Sequence, residues 1–281
     1  MSDKLLTWEE AVRWLRRQPD QQALVQHCYY DDPLQSAAER FSNSQEWQAL
    51  AQLLKAHIPG SVLDLGAGRG ISSYAFAKAG CSVIALEPDS SNLVGVGAIQ
   101  SLIQSSRLPI QIVQNYGETL PFDDNTFDIV YGRAVLHHAK ALNQLCQESA
   151  RVLKPGGVFI ATREHVLSKK SDLQQFLAAH PLHFLYGGED AYLLREYKAA
   201  VKAAGLKLLR TMGPLESVIN YSPMTTAEFQ VQIAATLSRL VGSSLGQRLA
   251  QQYSVQKAYG RYQSLRSHTP GRLYSFLAVK P

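Results

Sequence analysis

The stretch SVLDLGAGRG, residues 61–70, decides the fold, because an apolar run there ends in three glycines that alternate with other residues. A β-strand that leads through a glycine-rich turn into a helix lets backbone N–H groups approach a nucleotide closely. In the dinucleotide fingerprint the third glycine follows the second by three residues, and that position is Ile71 here. Asp64, near the strand end, would repel a pyrophosphate but would attract an ammonium group. The loop therefore favours a cationic nucleotide ligand over NAD.

Outward from this loop, short β-rich runs alternate with helical stretches, which is typical of a parallel sheet covered on both faces. The predicted strands are 61–65, 82–86, 109–114, 127–132, 158–162, 206–212 and 273–280. The predicted helices between them are 70–79, 90–105, 140–153 and 190–204. We therefore predict an α/β fold with a Rossmann-like, doubly wound, mostly parallel seven-stranded sheet. Ligands of such a sheet lie beyond the carboxyl ends of its strands.

Two further segments have helical patterns, which predicts a helical N-terminal cap and a helical insertion before the last strand. Thr7 with Glu10, and Asn43 with Glu46, have the spacing of capping boxes that open helices. Gly242 is predicted to break the insertion, and so is Gly246. The predicted regions are a cap or lid over 1–57, a cofactor-binding α/β core over 58–215, a helical insertion over 216–270 and the last core strand over 271–281.

The cap has too few large apolar side chains for a core of its own, so we expect them to pack on the α/β core. A segment that precedes the first strand can cover the pocket at the carboxyl ends of the strands. We therefore predict that it acts as a lid over the ligand. The apolar side chains in question are Leu5, Leu6, Val12, Leu15, Leu24 and Val25.

Composition excludes several classes of protein. The chain has 281 residues, 46% hydrophobic and 18% charged, and its three cysteines form no C-x-x-C pair. This argues against a disulfide scaffold, a zinc knuckle or an iron–sulfur cluster, and favours a reducing cytoplasm. The charged start MSDKLLTWEE does not look like a secretory signal, and no apolar run approaches the about 18 residues of a membrane span.

An acidic residue ends the second strand of the predicted sheet. Glu87, in ALEPD, follows the glycine loop by about 20 residues, where a carboxylate can accept both hydroxyls of a ribose. Two later stretches carry the fourth and fifth strands with the segments around them: LPFDDNTFDIVYGRAVLHH (120–138) and ESARVLKPGGVFIAT (148–162). Over about 60–165 the sequence resembles the class I S-adenosylmethionine-dependent methyltransferases, in the subgroup related to the ubiquinone-type enzymes.

The resemblance implies S-adenosylmethionine as the cofactor and assigns its contacts. Tyr116 stands where the family has an aspartate that bonds adenine, so Gly117 and Glu118 beside it become the alternative adenine contacts. Arg133 is expected to clamp the methionine carboxylate, with Arg40 from the cap as a second partner. The full set of predicted cofactor contacts is Asp64, Gly66, Gly68, Gly70, Glu87, Tyr116, Gly117, Glu118, Arg133 and Arg40.

Methyl transfer requires a positioned nucleophile and sometimes a general base. The polar trio Arg163, Glu164 and His165 follows the fifth predicted strand. His165 is the preferred base candidate, and His138 after the fourth strand is the second. The alternative interpretation is that these side chains only pack or cap the strands.

Substrate contacts are predicted from three places in the sequence: the cap stretch HCYYDDP, the ends of strands four and five, and the loop HPLHFLYGGED (180–190). A metal ion is not expected, because two histidines three apart in that loop have no third ligand nearby. The predicted substrate contacts are Tyr29, Tyr30, His137, Arg163, His180, His183 and Tyr186.

Other functions were weighed against a small-molecule methyltransferase. The fourth strand ends in YGRA, without the [DN]-P-P-[YF] of enzymes that methylate a base amine, and no cysteine follows a proline. The chain is basic after Glu228, which leaves an RNA methyltransferase as an alternative. The other is a catalytically silent cofactor-binding module. We interpret the basic residues as a solvated helical face, so a nucleic-acid partner is not expected. The sequence leaves open whether oxygen, nitrogen or carbon is methylated, and the oligomeric state.

Overall fold

The computed structural model describes residues 5–281, so the first four residues of the predicted cap lie outside the described residues. Its strands are β1 (Ser61–Leu65), β2 (Ser82–Leu86), β3 (Ile110–Val113), β4 (Phe127–Arg133), β5 (Leu153–Leu167), β6 (Tyr192–Leu193), β7 (Lys207–Met212) and β8 (Arg272–Val279). The first ten helices are α1 (Trp8–Arg16), α2 (Gln22–His27), α3 (Leu34–Ser42), α4 (Gln45–Leu53), α5 (Ile71–Lys78), α6 (Val96–Ser106), α7 (Leu142–Val152), α8 (Leu173–Ala179), α9 (His183–Tyr186) and α10 (Leu194–Ala203). Four more follow β7: α11 (Val218–Tyr221), α12 (Thr226–Val241), α13 (Ser243–Ala250) and α14 (Tyr253–Arg266).

The strands form one mixed, mostly parallel sheet in the order β3-β2-β1-β4-β5-β8-β7. The first five strands in that order are parallel, whereas β8 is antiparallel to both β5 and β7. This confirms the predicted Rossmann-like α/β fold. The two-residue β6, which pairs beside β5, is an eighth strand that the sequence did not indicate.

Strand β5 is much longer than predicted, and this corrects the position of the polar trio. Its carboxyl end continues to Leu167 because it pairs with β8 on one side and with β6 on the other. His165 and its neighbours therefore lie within β5 and not after it. The pairing with β8 shifts register between Ala161 and Glu164, and Arg163 in that interval has φ 60°. Such a bulge changes the direction of the side chains beyond it.

Alternate residues of the strands face two apolar layers. Val62 of β1 packs with α3, α4, α5 and α6 on one face, whereas Leu63 packs with α7 and α10 on the other. Phe76 and Tyr131 are fully buried in the first layer, with ring centroids 5.2 Å apart. Burial on both faces explains why the central strands have nearly continuous apolar sequences.

The predicted cap divides into two parts in the structure. Helices α3 and α4 belong to the main core, where Phe41 is fully buried. Helices α1 and α2 form a separate cluster in which Val12, Leu15 and Val25 pack against Val94 and Leu182. Those last two residues follow β2 and β5, so this part of the cap lies at the carboxyl edge of the sheet.

Of the two predicted capping boxes, the structure contains the first but not the second. Thr7 and Glu10 form the predicted box at the start of α1. The box predicted at Asn43 and Glu46 is wrong, because Ser44 caps α4 by accepting a hydrogen bond from the Trp47 N–H.

The insertion before β8 is helical, as predicted. Gly242 separates α12 from α13, but the break predicted at Gly246 is wrong. Gly246 lies inside α13, where a Cβ atom would come within 2.6 Å of the Ser238 hydroxyl, so its role is a close helix–helix approach. None of the helices in residues 5–281 combines the length and the hydropathy needed to cross a membrane.

Candidate active site

The glycine loop after β1 forms a backbone cradle. Gly66 and Gly68 have φ values of +56° and +55°, in the left-handed region that favours glycine. A Cβ atom on Gly66 would come within 2.8 Å of Val135, so this position has no room for a side chain. Within residues 5–281, and apart from its two chain neighbours, a Cβ on Gly68 would meet within 4 Å just the Val94 carbonyl oxygen, at 3.9 Å. The loop thus leaves open space next to bare backbone.

Two buried carboxylates border this cradle. Asp64 accepts a 2.6 Å hydrogen bond from the Ser73 hydroxyl, and burial raises its pKa to about 7. Glu87 accepts hydrogen bonds from the N–H groups of Gly68 (2.7 Å) and Asp89 (2.9 Å), and burial raises its pKa to about 6. In the described part of the chain, neither carboxylate forms an ion pair. Two buried carboxylates without a cationic partner suit a ligand that carries both a positive charge and a pair of neighbouring hydroxyl groups.

The loop after β3 carries the predicted adenine contacts. Tyr116 is 66% exposed and Gly117 lies against Leu145. The Glu118 carboxylate accepts a 3.1 Å hydrogen bond from the Lys140 N–H, which fixes the loop to the segment after β4. Because β3 neighbours β2, this loop lies near Glu87. The adenine assignments remain predictions.

The two arginines expected at the methionine carboxylate each pair with a carboxylate of the protein, and their cofactor role stays a prediction. The Arg133 guanidinium donates to both oxygens of the buried Glu46, at 2.7 and 3.2 Å, and lies over the Tyr29 ring. The Arg40 guanidinium donates to both oxygens of Asp31, at 2.9 and 2.6 Å. A guanidinium in a bidentate pair has little capacity for a second carboxylate. These arginines therefore hold the cap segments against the core.

Arg163 was expected at the substrate, but it too binds the protein. Its guanidinium donates to the carbonyl oxygens of Ile219 (3.0 Å) and Ser222 (2.9 Å) and lies 4.0 Å from Glu46. The bulge in β5 directs this side chain toward α11. The Arg163 side chain thereby holds the start of the helical insertion against the sheet.

Sequence reasoning missed Arg69, which stands between the second and third glycines of the loop. Its buried guanidinium donates to the carbonyl oxygens of Tyr29 (2.6 Å) and Asp31 (2.9 Å) and to the carboxylate of Asp32 (2.6 Å). Arg16 of α1 binds the same carboxylate at 2.7 Å. The cap is therefore tied directly to the glycine loop.

The two cap tyrosines are packing residues in this structure. Tyr29 is buried with its ring centroid 5.4 Å from that of Phe41, and Tyr30 lies 5.8 Å from Trp8. Both rings pack against aromatic neighbours within the protein, and their role as substrate contacts stays a prediction.

Four histidines from three separate segments of the chain gather at the carboxyl ends of β4 and β5. The ring centroids of His137 and His138 are 4.1 Å apart, and those of His137 and His165 are 4.6 Å apart. His180 follows at 6.1 Å from His165. We call these residues, with Glu189 among them, the histidine cluster. It unites both predicted base candidates with two predicted substrate contacts.

His137 is buried between two carboxylates, Glu164 of the polar trio and Glu189, and sequence reasoning did not single out the second. Its Nδ1 lies 2.8 Å from Glu164, and its Nε2 lies 3.6 Å from Glu189. Burial alone would lower the pKa of this imidazole, but the interactions with Glu164 and Glu189 outweigh it and raise the pKa to about 9. Glu164 also accepts hydrogen bonds from the N–H groups of Val135 and His137, each at 3.1 Å.

His165 and His138 have the opposite electrostatic character. Burial, reinforced by the charge of His137, lowers the pKa of His165 to about 4 and also lowers that of His138. The His165 Nδ1 lies 2.8 Å from the Gly271 carbonyl oxygen, and the His138 Nδ1 lies 3.0 Å from that of Gly188. A carbonyl can only accept, so each Nδ1 carries the proton and each Nε2 keeps a lone pair. The His138 side chain is 41% exposed.

The loop 180–190 closes the cluster and joins it to the cap. The Tyr186 hydroxyl donates a hydrogen bond to Glu189, and the Tyr186 ring lies 4.5 Å from that of Trp8 in α1. His180 lies with its Nε2 3.6 Å from Glu189. His183, the other predicted contact in this loop, begins α9, and its buried Nδ1 has no hydrogen-bond partner.

Comparison with known proteins bears on this site. A family model described as a methyltransferase domain matches residues 63–161. A ubiquinone biosynthesis O-methyltransferase of Rhizobium etli is 30% identical over 57% of this chain and 67% of its own length. Among such ubiquinone relatives the chain spans 62% to 71% of their length. A sterol 24-C-methyltransferase of Gibberella zeae is 31% identical over 53% of this chain and 40% of its own length.

Solved structures share the fold. The geranyl diphosphate C-methyltransferase of Streptomyces coelicolor, in complex with Mg²⁺, geranyl diphosphate and S-adenosyl-L-homocysteine, superposes with a TM-score of 0.56 at 16% identity. The match covers 96% of this chain and 88% of that one. The chain belongs to the class I S-adenosylmethionine-dependent methyltransferases and is an enzyme of methyl transfer. Its relatives place it in the ubiquinone-type subgroup, as the resemblance implied.

Proposed function

We propose that this enzyme binds S-adenosylmethionine at the glycine cradle and methylates a small molecule at the histidine cluster. The observation that carries the proposal is the pair of buried carboxylates, Asp64 and Glu87, beside the open space at Gly68. A ligand with an amino group and a ribose diol complements both, whereas the phosphates of NAD would face Asp64. When bound, S-adenosylmethionine supplies a methyl group already activated by its sulfonium.

The residues of the chain have separate tasks in this proposal. The glycine loop admits the methionine part close to the backbone, Asp64 faces the ammonium group and Glu87 accepts the ribose hydroxyls. The loop at Tyr116 and Gly117 borders the adenine. Helices α1 and α2, tied to the loop by Arg69, cover the pocket and exclude water.

We assign the base to His138 in preference to His165. The His138 side chain is 41% exposed, so an acceptor can reach its Nε2, and the carboxylate of Glu189 lies 3.9 Å from that atom. A nearby carboxylate stabilises the imidazolium that forms when the acceptor gives up its proton. His165 is instead enclosed by the rings of His137, at 4.6 Å, and Phe176, at 4.8 Å.

A calorimetric titration tests the cofactor. We expect S-adenosylhomocysteine, the demethylated product, to bind with a stoichiometry of one and NAD to bind much more weakly. Tight NAD binding without binding of the sulfur nucleotide would contradict the proposal. Incubation of the enzyme with isotopically methyl-labelled cofactor and extracts of small molecules, followed by mass spectrometry, then identifies the acceptor by the label it gains.

A further inference from the structure

Three side chains of the histidine cluster present ligand atoms to one point. In residues 5–281, His137, His165 and Glu189 are the residues whose metal-binding atoms all lie within 4.8 Å of one another. The His137 Nε2 is 3.6 Å from the Glu189 Oε2. This distance is too long for a hydrogen bond. It is close to the separation of about 3.4 Å between two ligands that each lie about 2.1 Å from a tetrahedral metal.

The other ring nitrogens are already engaged in the way that metal-binding histidines require. The Nδ1 of His137 lies 2.8 Å from the Glu164 carboxylate, and that of His165 lies 2.8 Å from the Gly271 carbonyl oxygen. Metal-ligating histidines almost always donate the second N–H to a carboxylate or a carbonyl, which orients the ring. Because the Nδ1 of each ring faces an acceptor, Nε2 is the nitrogen that a metal can bind, and metal binding releases any proton that Nε2 carries.

Glu189 supplies an independent observation. Its side chain is 4% exposed, and its buried Oε2 has no hydrogen-bond partner among the residues that the structure describes. Its other oxygen accepts from the Tyr186 hydroxyl, which is the support that a ligating carboxylate usually has. A buried carboxylate oxygen that forms no hydrogen bond within residues 5–281 and lies 3.6 Å from an imidazole nitrogen can be satisfied by a bound ion.

We propose that His137, His165 and Glu189 bind one divalent transition-metal ion, of the zinc or cobalt type, with an open coordination position. Two imidazoles and a carboxylate form a donor set that favours such ions over Mg²⁺, which prefers oxygen ligands. His138, whose Nε2 is 3.9 Å from Glu189, lies beside the site as the proposed base. The open position accepts an oxygen or nitrogen atom of a small molecule. This inference goes beyond the proposed function, because metal binding does not depend on methyl transfer.

The sequence predicted no metal because the pair His180 and His183, three residues apart, has no third ligand nearby in the chain. The structure offers a different set from three separate elements. His180 is an outer neighbour here, since its Nδ1 accepts a 3.4 Å hydrogen bond from the Leu182 N–H and its Nε2 is therefore the protonated nitrogen.

Cobalt titration tests the proposal. Protein treated with a chelator and then titrated with Co²⁺ should develop visible d–d absorption that saturates at one equivalent, and Zn²⁺ should abolish it. Zn²⁺ should also raise the Tm of the chelator-treated protein. Loss of an outer-shell partner commonly weakens metal affinity about 10–100-fold, so H165A and E189Q, which remove a ligand, should weaken Co²⁺ binding at least that much.

H268A is the matched control, because His268 is exposed and far in sequence from the cluster, and it should bind Co²⁺ like the wild type. E189Q keeps the side-chain volume, and cooperative thermal unfolding verifies that each variant is folded. A folded wild type with neither cobalt absorption nor a zinc-dependent Tm shift overturns the proposal. So does cobalt binding that E189Q and H165A leave unchanged. Neither result depends on whether S-adenosylhomocysteine binds.

Discussion

The cofactor cradle and the histidine cluster lie at the same edge of the sheet but are built in different ways. The cradle comes from one continuous stretch, in which β1, the glycines and α5 follow each other, with Glu87 from the next strand. The cluster collects side chains from the turn after β4, from β5 and from a loop near residue 189. A contiguous site depends on backbone geometry, which glycine spacing reveals. A dispersed site depends on strand pairing and loop closure, which local sequence does not reveal.

The largest effect that separates the two regions is expected from His138→Ala. A general base contributes about 10²–10⁴-fold to rate, so kcat should fall by that factor with the identified acceptor. The Kd of S-adenosylhomocysteine should stay the same, because the cradle is intact. Stopped assays with labelled cofactor and calorimetry measure the two quantities. H268A should change neither, and a wild-type kcat in H138A would remove His138 as the base.

The converse is expected from Glu87→Ala. Loss of two hydrogen bonds to a charged acceptor should weaken cofactor binding by about 2–4 kcal/mol, which is on the order of 30–1,000-fold in Kd. Calorimetry with S-adenosylhomocysteine measures this change, and circular dichroism checks the fold. D20N, at an exposed acid of the cap, is the control. An unchanged Kd in folded E87A would reject the ribose role.

Arg69→Ala tests the link between the cap and the cradle. The variant leaves the carbonyls of Tyr29 and Asp31 without their donor, which should lower the free energy of unfolding by about 1–2 kcal/mol. Hydrogen exchange should also rise in residues 20–45, and cofactor should restore less protection there than in the wild type. R13A, which removes an exposed pair with Glu9, should have little effect. Identical exchange in R69A and wild type would contradict the lid.

The smallest effect is a pH dependence of cofactor affinity. Burial raises the pKa of Glu87 to about 6, so its carboxylate is charged above that pH and loses acceptor capacity below it. Affinity should therefore fall as the pH drops below about 6, by at most about tenfold per pH unit. E87Q should lack this component. D64N should retain it, because the pKa of Asp64 is raised to about 7 and affects a different pH range. Calorimetry between pH 5 and 8 distinguishes these cases, and a flat wild-type profile would contradict the assignment.

The arginines show which side-chain contacts a sequence does not reveal. Arg133 is the last residue of β4, one residue beyond the predicted strand, and its guanidinium pairs with Glu46, which the sequence suggested only as part of a capping box. A buried guanidinium requires a carboxylate, and α4 supplies one from a segment far away in the chain. Local spacing cannot reveal this pair, because it exists only when α4 packs on the sheet.

The sequence by itself determined the parallel core, the glycine cradle, the acid at the end of β2 and the family. These features repeat at fixed short distances, since strand period, turn geometry and helix caps act over a few residues. Only the tertiary structure decided that β5 extends through His165, that Arg69 binds the cap, and that Glu189 lies among the histidines. Each of these depends on pairing or closure between distant segments, where the free energy comes from burial and charge compensation between side chains that no local pattern connects.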